Sequence, residues 1–217
     1  MMTGQIIDID GLVPILRERG SSLRSITAIA GAPGAGKSTV ADMLAEKLNA
    51  ADPGSAAVLP MDGFHFDDMV LVSRGWRSRK GAPHTFDVAG LVHMLARLRA
   101  NIEPEIAVPV FDREIEIARA GARIIPNTVR HLIVEGNYLL LAVEPWSELA
   151  TYLDTTIFLN VPMAVLRRRL EARWKNLQPE EFALKLDAND LPNAELVTGH
   201  SRESEFVLPN FPTRSVS

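Results

Sequence analysis

The chain of 217 residues is 47 % hydrophobic and 23 % charged; this balance excludes disordered and fibrous classes, and the length suits a single domain over 1–217. A formal charge of −4 gives no footprint of a nucleic-acid binder, and with no cysteine there is no disulfide framework, thiolate metal site or cysteine nucleophile. The first residues, "MMTGQIIDIDGL", carry no basic segment followed by an apolar one, and no apolar run approaches bilayer length, so the expectation is a cytoplasmic protein without nucleic-acid or membrane partners.

The first periodic segment, Ile9 to Gly20, places Leu12, Ile15 and Leu16 on one side, ends in basic residues and stops at a glycine, which predicts a short helix. "SITAIA", Ser25 to Ala30, predicts a strand. After a glycine-rich stretch, Val40, Leu44 and Leu48 recur at helical spacing in "STVADMLAEKLNAA". Four further apolar runs, "SAAVLPM", "EIAVPVF", "HLIVEG" and "TTIFLNV", are separated by helical patterns such as "VAGLVHMLARLRA" and "MAVLRRRLEARW". Strands alternating with helices predict an α/β fold, a three-layer sandwich around a mostly parallel sheet of five strands. From Lys175 onward the chain is polar and punctuated by proline, its element boundaries are open, and the tail "NFPTRSVS" is expected to be partly disordered.

Between the first strand and its helix stands "GAPGAGKST", in which Gly31, Gly36, Lys37 and Ser38 satisfy G-x-x-x-x-G-K-[ST] in the required strand–turn–helix context. Glycines let successive backbone N–H groups turn around phosphates, and the helix presents its positive end to them. The stretch Gly31, Ala32, Pro33, Gly34, Ala35, Gly36, Lys37, Ser38 and Thr39 is therefore the candidate nucleotide-phosphate cradle, with Lys37 reaching the β- and γ-phosphates and Ser38 able to ligate Mg²⁺. Such a P-loop specifies nucleotide, not reaction. No N-K-x-D tetrapeptide occurs, and "DVAG", Asp87 to Gly90, opens a helical pattern instead of ending a strand, which speaks against a GTPase switch.

The second strand ends "LPMDGFHFDD", so Asp62 lies just past its carboxyl end, where open α/β sheets bind ligands. A hydroxyl acceptor of a phosphoryl group needs a carboxylate there to take its proton, which makes Asp62 the candidate general base; the alternative is an aspartate capping a turn. His65, beside two phenylalanines, is open between substrate contact and packing. Glu135 ends the buried run "HLIVEG", and a carboxylate there can hold Mg²⁺ through water or serve a structural ion pair.

The motifs "GAPGAGKST", "MDGFHF", "RKGAPHTFDVAGL", "VPVFDREIEIA" and "LIVEGNYLL", in this order, resemble the phosphoribulokinase, uridine kinase and pantothenate kinase group of P-loop kinases. The resemblance spans Ser25 to about Arg173 and continues more weakly to about Asn210. It implies the base role for Asp62, an acceptor site near Phe111, Asp112 and Arg113, and substrate contacts from Lys80 and His84. A surface ion pair remains the alternative for Arg113, and a solvated loop for Lys80 and His84.

The resemblance also implies a helical lid at about 163–195. There Met163, Leu166, Leu170 and Trp174 form an apolar stripe, Arg167 can pair with Glu171, and Arg169 and Arg173 share a neighbouring face. The group's lid arginines meet charge on the transferred phosphoryl, which implies that role for Arg169 and Arg173; a solvated helix face is the alternative.

After Trp174 the arginine-rich lid ending of uridine kinases is missing and "NDLPNAELV" stands in its place, which argues against uridine. "MDGFH", "RKGAPHTFD", "RW" and "NDLPN" together look most like bacterial members described as fructose kinases of sugar uptake or as nucleoside-kinase-like proteins. The expected activity is thus an ATP- and Mg²⁺-dependent phosphorylation of a small-molecule hydroxyl, with fructose favoured. Pantothenate, a nucleoside or a sugar phosphate are alternative acceptors, and an ATP-binding regulatory switch is the rival outside enzymes. Because many relatives form dimers, a homodimer is the expected assembly.

Overall fold

The computed structural model describes residues 4–210. Apart from Asn210, the tail expected to be partly disordered lies outside the described residues. In chain order the elements are β1 (Gln5–Ile6), α1 (Ile9–Arg19), β2 (Ser25–Ala30), α2 (Lys37–Ala51), β3 (Ala56–Pro60), α3 (Asp68–Ser73), α4 (Val88–Ala100), β4 (Glu105–Asp112) and β5 (Ile117–Pro126). There follow β6 (His131–Gly136), β7 (Thr155–Asn160), α5 (Met163–Trp174), α6 (Pro179–Lys185), α7 (Leu191–His200) and β8 (Phe206–Pro209).

Six strands pair in parallel in the order β1-β8-β7-β2-β6-β3. Successive residues of the central strands point to opposite faces. Ile26, Leu132, Val134 and Phe158 pack on Leu91, Leu95 and Leu98 of α4. Ile29, Ile133 and Ile157 pack on Leu12 and Leu16 of α1 and on Val40, Leu44 and Leu48 of α2. Each such leucine is nearly or fully buried, which stabilises the fold by roughly 1.5–3 kcal/mol per side chain before entropy is counted. Both faces are covered, and the expected three-layer α/β architecture is present.

The sheet differs from the expected five strands in membership. "EIAVPVF" does not join it: β4 pairs antiparallel with β5 in a separate two-stranded ribbon, with a register shift between Val108 and Val110. The physical reason is visible in the alternating burial of β4 and in Pro109, whose missing N–H suits a bulged or edge position and not a central parallel strand. Two strands without a long apolar run, β1 and β8, complete the sheet instead.

Three features of the fold set up the site. The P-loop follows β2, and Glu135 is the penultimate residue of β6, the strand beside it, so both meet at the carboxyl edge of the sheet. A 3₁₀ turn, Met61–Phe64, follows β3 and abuts the ribbon so closely that a Cβ on Gly63 would lie 2.5 Å from the Pro109 carbonyl oxygen. Finally, α5 links the core to a lid. Leu166 packs in the main core, whereas Leu170 packs with Leu186 and Leu191 in a small lid core flanked by Trp174 and Phe182. Met163, expected in the same stripe, is 36 % exposed in the first turn.

Between α6 and α7 the helix widens into a π-turn, Leu186–Asp190. Pro192 has no N–H to return to the carbonyl four residues earlier, and a wider ladder just upstream accommodates that loss.

Candidate functional site

A cavity of about 270 Å³ opens at the carboxyl edge of the sheet, walled by the P-loop, the turn after β3, the ribbon tip, the end of β6 and the lid. Pro33, Gly34, Gly36, Lys37, Ser38 and Thr39 form its P-loop wall, with Gly31, Ala32 and Ala35 buried behind. Gly36 has φ 89°, in the left-handed region, where a side chain would be strained and would also collide with the Asn210 amide at 2.6 Å. The loop is held from outside. Arg169 Nη1 donates to the Gly34 carbonyl at 3.1 Å, Arg169 Nη2 to the Asn210 carbonyl at 2.8 Å, and Asn210 Nδ2 to the Ala35 carbonyl at 2.6 Å. These bonds engage the Gly34 and Ala35 carbonyls from the outer side, while the Ala35 N–H closes a turn onto the Ala32 carbonyl at 3.1 Å.

Lys37 is buried, and its Nζ donates to the Ala32 carbonyl at 3.1 Å and to Asn137 Oδ1 at 2.6 Å. Burial pushes its pKa down, against the pull of Glu135 and Asp62. Ser38 Oγ donates to Glu135 Oε1 at 3.1 Å. Burial pushes the Glu135 carboxyl up, with Lys37 opposing. One hydroxyl and one carboxylate of this kind fit Mg²⁺, which is bound by few protein oxygens together with phosphates and water. No cluster of three or more His, Asp or Glu that could hold a metal occurs among the described residues.

Asp62 lines the same cavity and is paired with Arg113 at the ribbon tip. The His65 ring packs 4.0 Å from Phe86 and 4.8 Å from Phe111 between centroids, and it also lines the cavity. Its Nδ1 lies 2.8 Å from the Asp62 carbonyl oxygen, and burial lowers its pKa. Phe111 and Lys80 complete this side. Lys80 is nearly enclosed, donating to Asp68 Oδ1 at 2.6 Å and to the Glu116 carbonyl at 2.5 Å. Glu116 has φ 56°, an uncommon backbone for a non-glycine residue, and the bond from Lys80 helps hold that tight ribbon turn.

Three expected contact residues stand off the cavity wall. Asp112 faces the outer side of the ribbon and accepts from Arg119 Nη1 at 2.8 Å. His84 is exposed, its ring edge-on to Trp76 at 5.0 Å. Arg169 braces the P-loop from behind, and of the two lid arginines Arg173 lines the cavity, its guanidinium 4.7 Å over the Trp174 ring. Arg167 does pair with Glu171, at 3.8 Å, and also with Asp187 at 3.5 Å. Asp87 accepts from the Gly90 N–H at 2.9 Å as the N-cap of α4, which accounts for the "DVAG" match as a helix start.

Asn137, two positions past Glu135, and Lys185 line the wall without having been singled out from the sequence; Trp174 was expected only in the apolar stripe, and Asn189, Asp190 and Asn193 only as part of "NDLPN", with no role at the site. Asp190 Oδ2 accepts from Trp174 Nε1 at 2.8 Å, and burial raises its carboxyl pKa.

No family model matches the chain. A solved structure from Silicibacter sp. TM1040, of a protein provisionally named a fructose transport system kinase, is 37 % identical, with a TM-score of 0.85 over 94 % of this chain and 100 % of that one. The Escherichia coli K12 protein YggC is 36 % identical over 192 residues, 85 % of this chain and 77 % of its own length. A Schizosaccharomyces pombe protein provisionally named a uridine kinase is 32 % identical over 203 residues, 89 % of this chain and 86 % of its own. The likeness extends to the pantothenate kinase of Clavibacter michiganensis, 28 % identical, of which the chain spans about half the length. With a P-loop, a carboxylate past the second core strand and a lid arginine on one cavity, and with these relatives, the chain belongs to the P-loop kinases of the uridine and pantothenate kinase group.

Proposed function

We propose that the protein transfers the γ-phosphoryl group of ATP, with Mg²⁺, to a hydroxyl of a small metabolite, and that a sugar such as fructose is the favoured acceptor. The observation that carries this reading is that Asp62, Lys37, the Ser38–Glu135 pair and Arg173 all line one cavity. A carboxylate facing a P-loop lysine across a cavity can take the proton of a hydroxyl that attacks a phosphate held by the loop. Ser38 and Glu135 would hold Mg²⁺, which neutralises phosphate charge when bound. Lys37 and Arg173 supply the remaining positive charge, and the lid keeps water from competing with the acceptor. Fructose is favoured because the Silicibacter protein, 37 % identical along nearly the whole chain, carries a fructose transport kinase name.

The test is ADP release from ATP and Mg²⁺ against fructose and other sugars, sugar phosphates, pantothenate and nucleosides, with Asp62→Asn alongside. An acceptor that raises the rate far above the water background, and loses that effect in the variant, is the expected result. Tight ATP binding with no acceptor response would replace the kinase by a nucleotide-operated switch.

A further inference from the structure

The π-turn carries polar groups that the proposed chemistry does not use. Asn189 Nδ2 donates to the Lys80 carbonyl at 2.8 Å, which docks the turn onto the loop leading from Asp62 to α4 and therefore onto the acceptor side of the cavity. Asn193, one turn on, is only 2 % exposed yet lines the cavity. Its Nδ2 donates to Asn189 Oδ1 at 3.3 Å, and among the described residues no donor reaches its Oδ1. Asp190 accepts from Trp174 Nε1 at 2.8 Å with one carboxylate oxygen, and among the described residues no hydrogen bond engages the other. Two oxygen acceptors, one amide and one carboxylate, thus stand three residues apart on the lid wall. The Asn193 amide is enclosed except where it lines the cavity, so the donor that its oxygen lacks comes from whatever occupies that cavity, water or ligand.

We infer that Asp190 and Asn193 form the acceptor-specificity subsite and take donated hydrogen bonds from neighbouring hydroxyls of a neutral polyhydroxylated acceptor, a sugar or a polyol. Hydroxyls supply the donors that the two oxygens lack, whereas a phosphate or carboxylate brings only further acceptors and a charge repelled by Asp190. The cations of the acceptor wall are already committed: Lys80 to Asp68 and the Glu116 carbonyl, and Arg113 to Asp62. Arg173 and Lys185 also line the cavity, with their charges over the Trp174 ring at 4.7 and 5.5 Å and close enough to act on the Asp190 carboxylate. Phe111 offers an apolar surface for the C–H face of a sugar ring. The catalytic meaning of the subsite rests on the kinase reading, but its ligand chemistry does not.

The experiment is calorimetric titration of the full chain, loaded with Mg²⁺ and a non-hydrolysable ATP analogue. Fructose, other hexoses and hexitols are titrated alongside their phosphates and sugar acids. Asp190→Asn keeps an oxygen for Trp174 Nε1 while turning the unengaged oxygen into a donor; Asn193→Ala removes the amide. The expected result is saturable binding of a neutral sugar or polyol that weakens about 10- to 100-fold in each variant, with analogue affinity changed less than about threefold. If Asn193→Ala fails to fold, Asp190→Asn decides alone. Preference for the charged compounds, no saturable binding of any neutral one, or wild-type binding in the folded variants overturns the inference. ADP release measured on the same proteins separates the two readings: polyol binding without acceptor-stimulated release leaves the subsite standing and removes the kinase.

Discussion

Arg113, at the tip of the ribbon, is ion-paired with Asp62, in the turn after β3. The pair joins two segments 51 residues apart and fixes the candidate base at the cavity wall. A carboxylate held this way accepts a proton from an attacking hydroxyl without moving far. Asp62→Asn is therefore expected to lower turnover by about 10²- to 10⁴-fold while leaving ATP-analogue binding nearly unchanged. Turnover equal to the unmodified protein would remove Asp62 from the base role.

The same pair makes a second, opposite statement about stability. The Arg113 side chain is 56 % exposed, and exposed ion pairs contribute about 0–1 kcal/mol. Arg113→Ala should thus change the urea midpoint little while raising the acceptor KM and lowering kcat, because Asp62 loses the group that orients it. A large loss of stability would show that the ribbon depends on this contact for its folding.

Arg169 and Arg173 are one helical turn apart and are predicted to fail differently. Arg169→Ala strips a donor from the Gly34 and Asn210 carbonyls, so it should weaken analogue binding and lower the thermal midpoint, at a cost of about 1–3 kcal/mol for the stranded groups. Arg173→Ala should leave both nearly intact and reduce kcat by at least about tenfold, as expected for a cation that meets charge only in the transition state. Interchanged phenotypes would reverse the assignment.

Burial holds the His65 imidazole below its ordinary value of 6.5, with Asp62 opposing. The folded chain binds this proton more weakly than the unfolded chain. The stability gained by keeping His65 neutral is therefore complete above about pH 6.5 and is lost as pH falls through the depressed folded pKa. His65→Phe keeps a ring against Phe86 and Phe111 and removes the titration. Its unfolding free energy should fall less between about pH 7.5 and 5.5 than that of the unmodified protein, in which His84 and His131 titrate alike. Parallel curves would show that His65 does not titrate in this range.

Much of the nucleotide side was legible because its residues are contiguous: the P-loop lies within nine positions, and Asp62 and Glu135 each follow an apolar run whose end could be read. The acceptor side was harder for physical reasons. "EIAVPVF" has the composition of a core strand, and its ribbon partner, "IARAGARIIP", has only small and charged residues along most of its length, so the antiparallel pairing left no matching signal. Asn189, Asp190 and Asn193 lie in a polar, proline-punctuated stretch, and their inward direction depends on the π-turn, which no 3.6-residue periodicity reveals. Asn137 could have been found: two residues after a strand-ending carboxylate beside a P-loop is within reach of the P-loop lysine. Arg169 and Arg173 share a helix face, and what distinguishes brace from cavity wall is tertiary: the P-loop carbonyls and Asn210 beside Arg169, the Trp174 ring beside Arg173.

The clasp on the nucleotide loop has a consequence for the order in which its two sides are made. Asn210 Nδ2 reaches back 175 residues to the Ala35 carbonyl, and β1 is paired only to β8 within the six-stranded sheet. During synthesis the phosphate loop is made before both of its outer supports, Arg169 and then Asn210, and lacks the second until residue 210 has left the ribosome. Contacts this distant close late because their loop entropy must first be overcome. The full clasp on the nucleotide loop accordingly forms only after β8 has been made, and a polypeptide arrested before β8 would carry the whole P-loop motif without the Asn210 bond, braced by Arg169 alone.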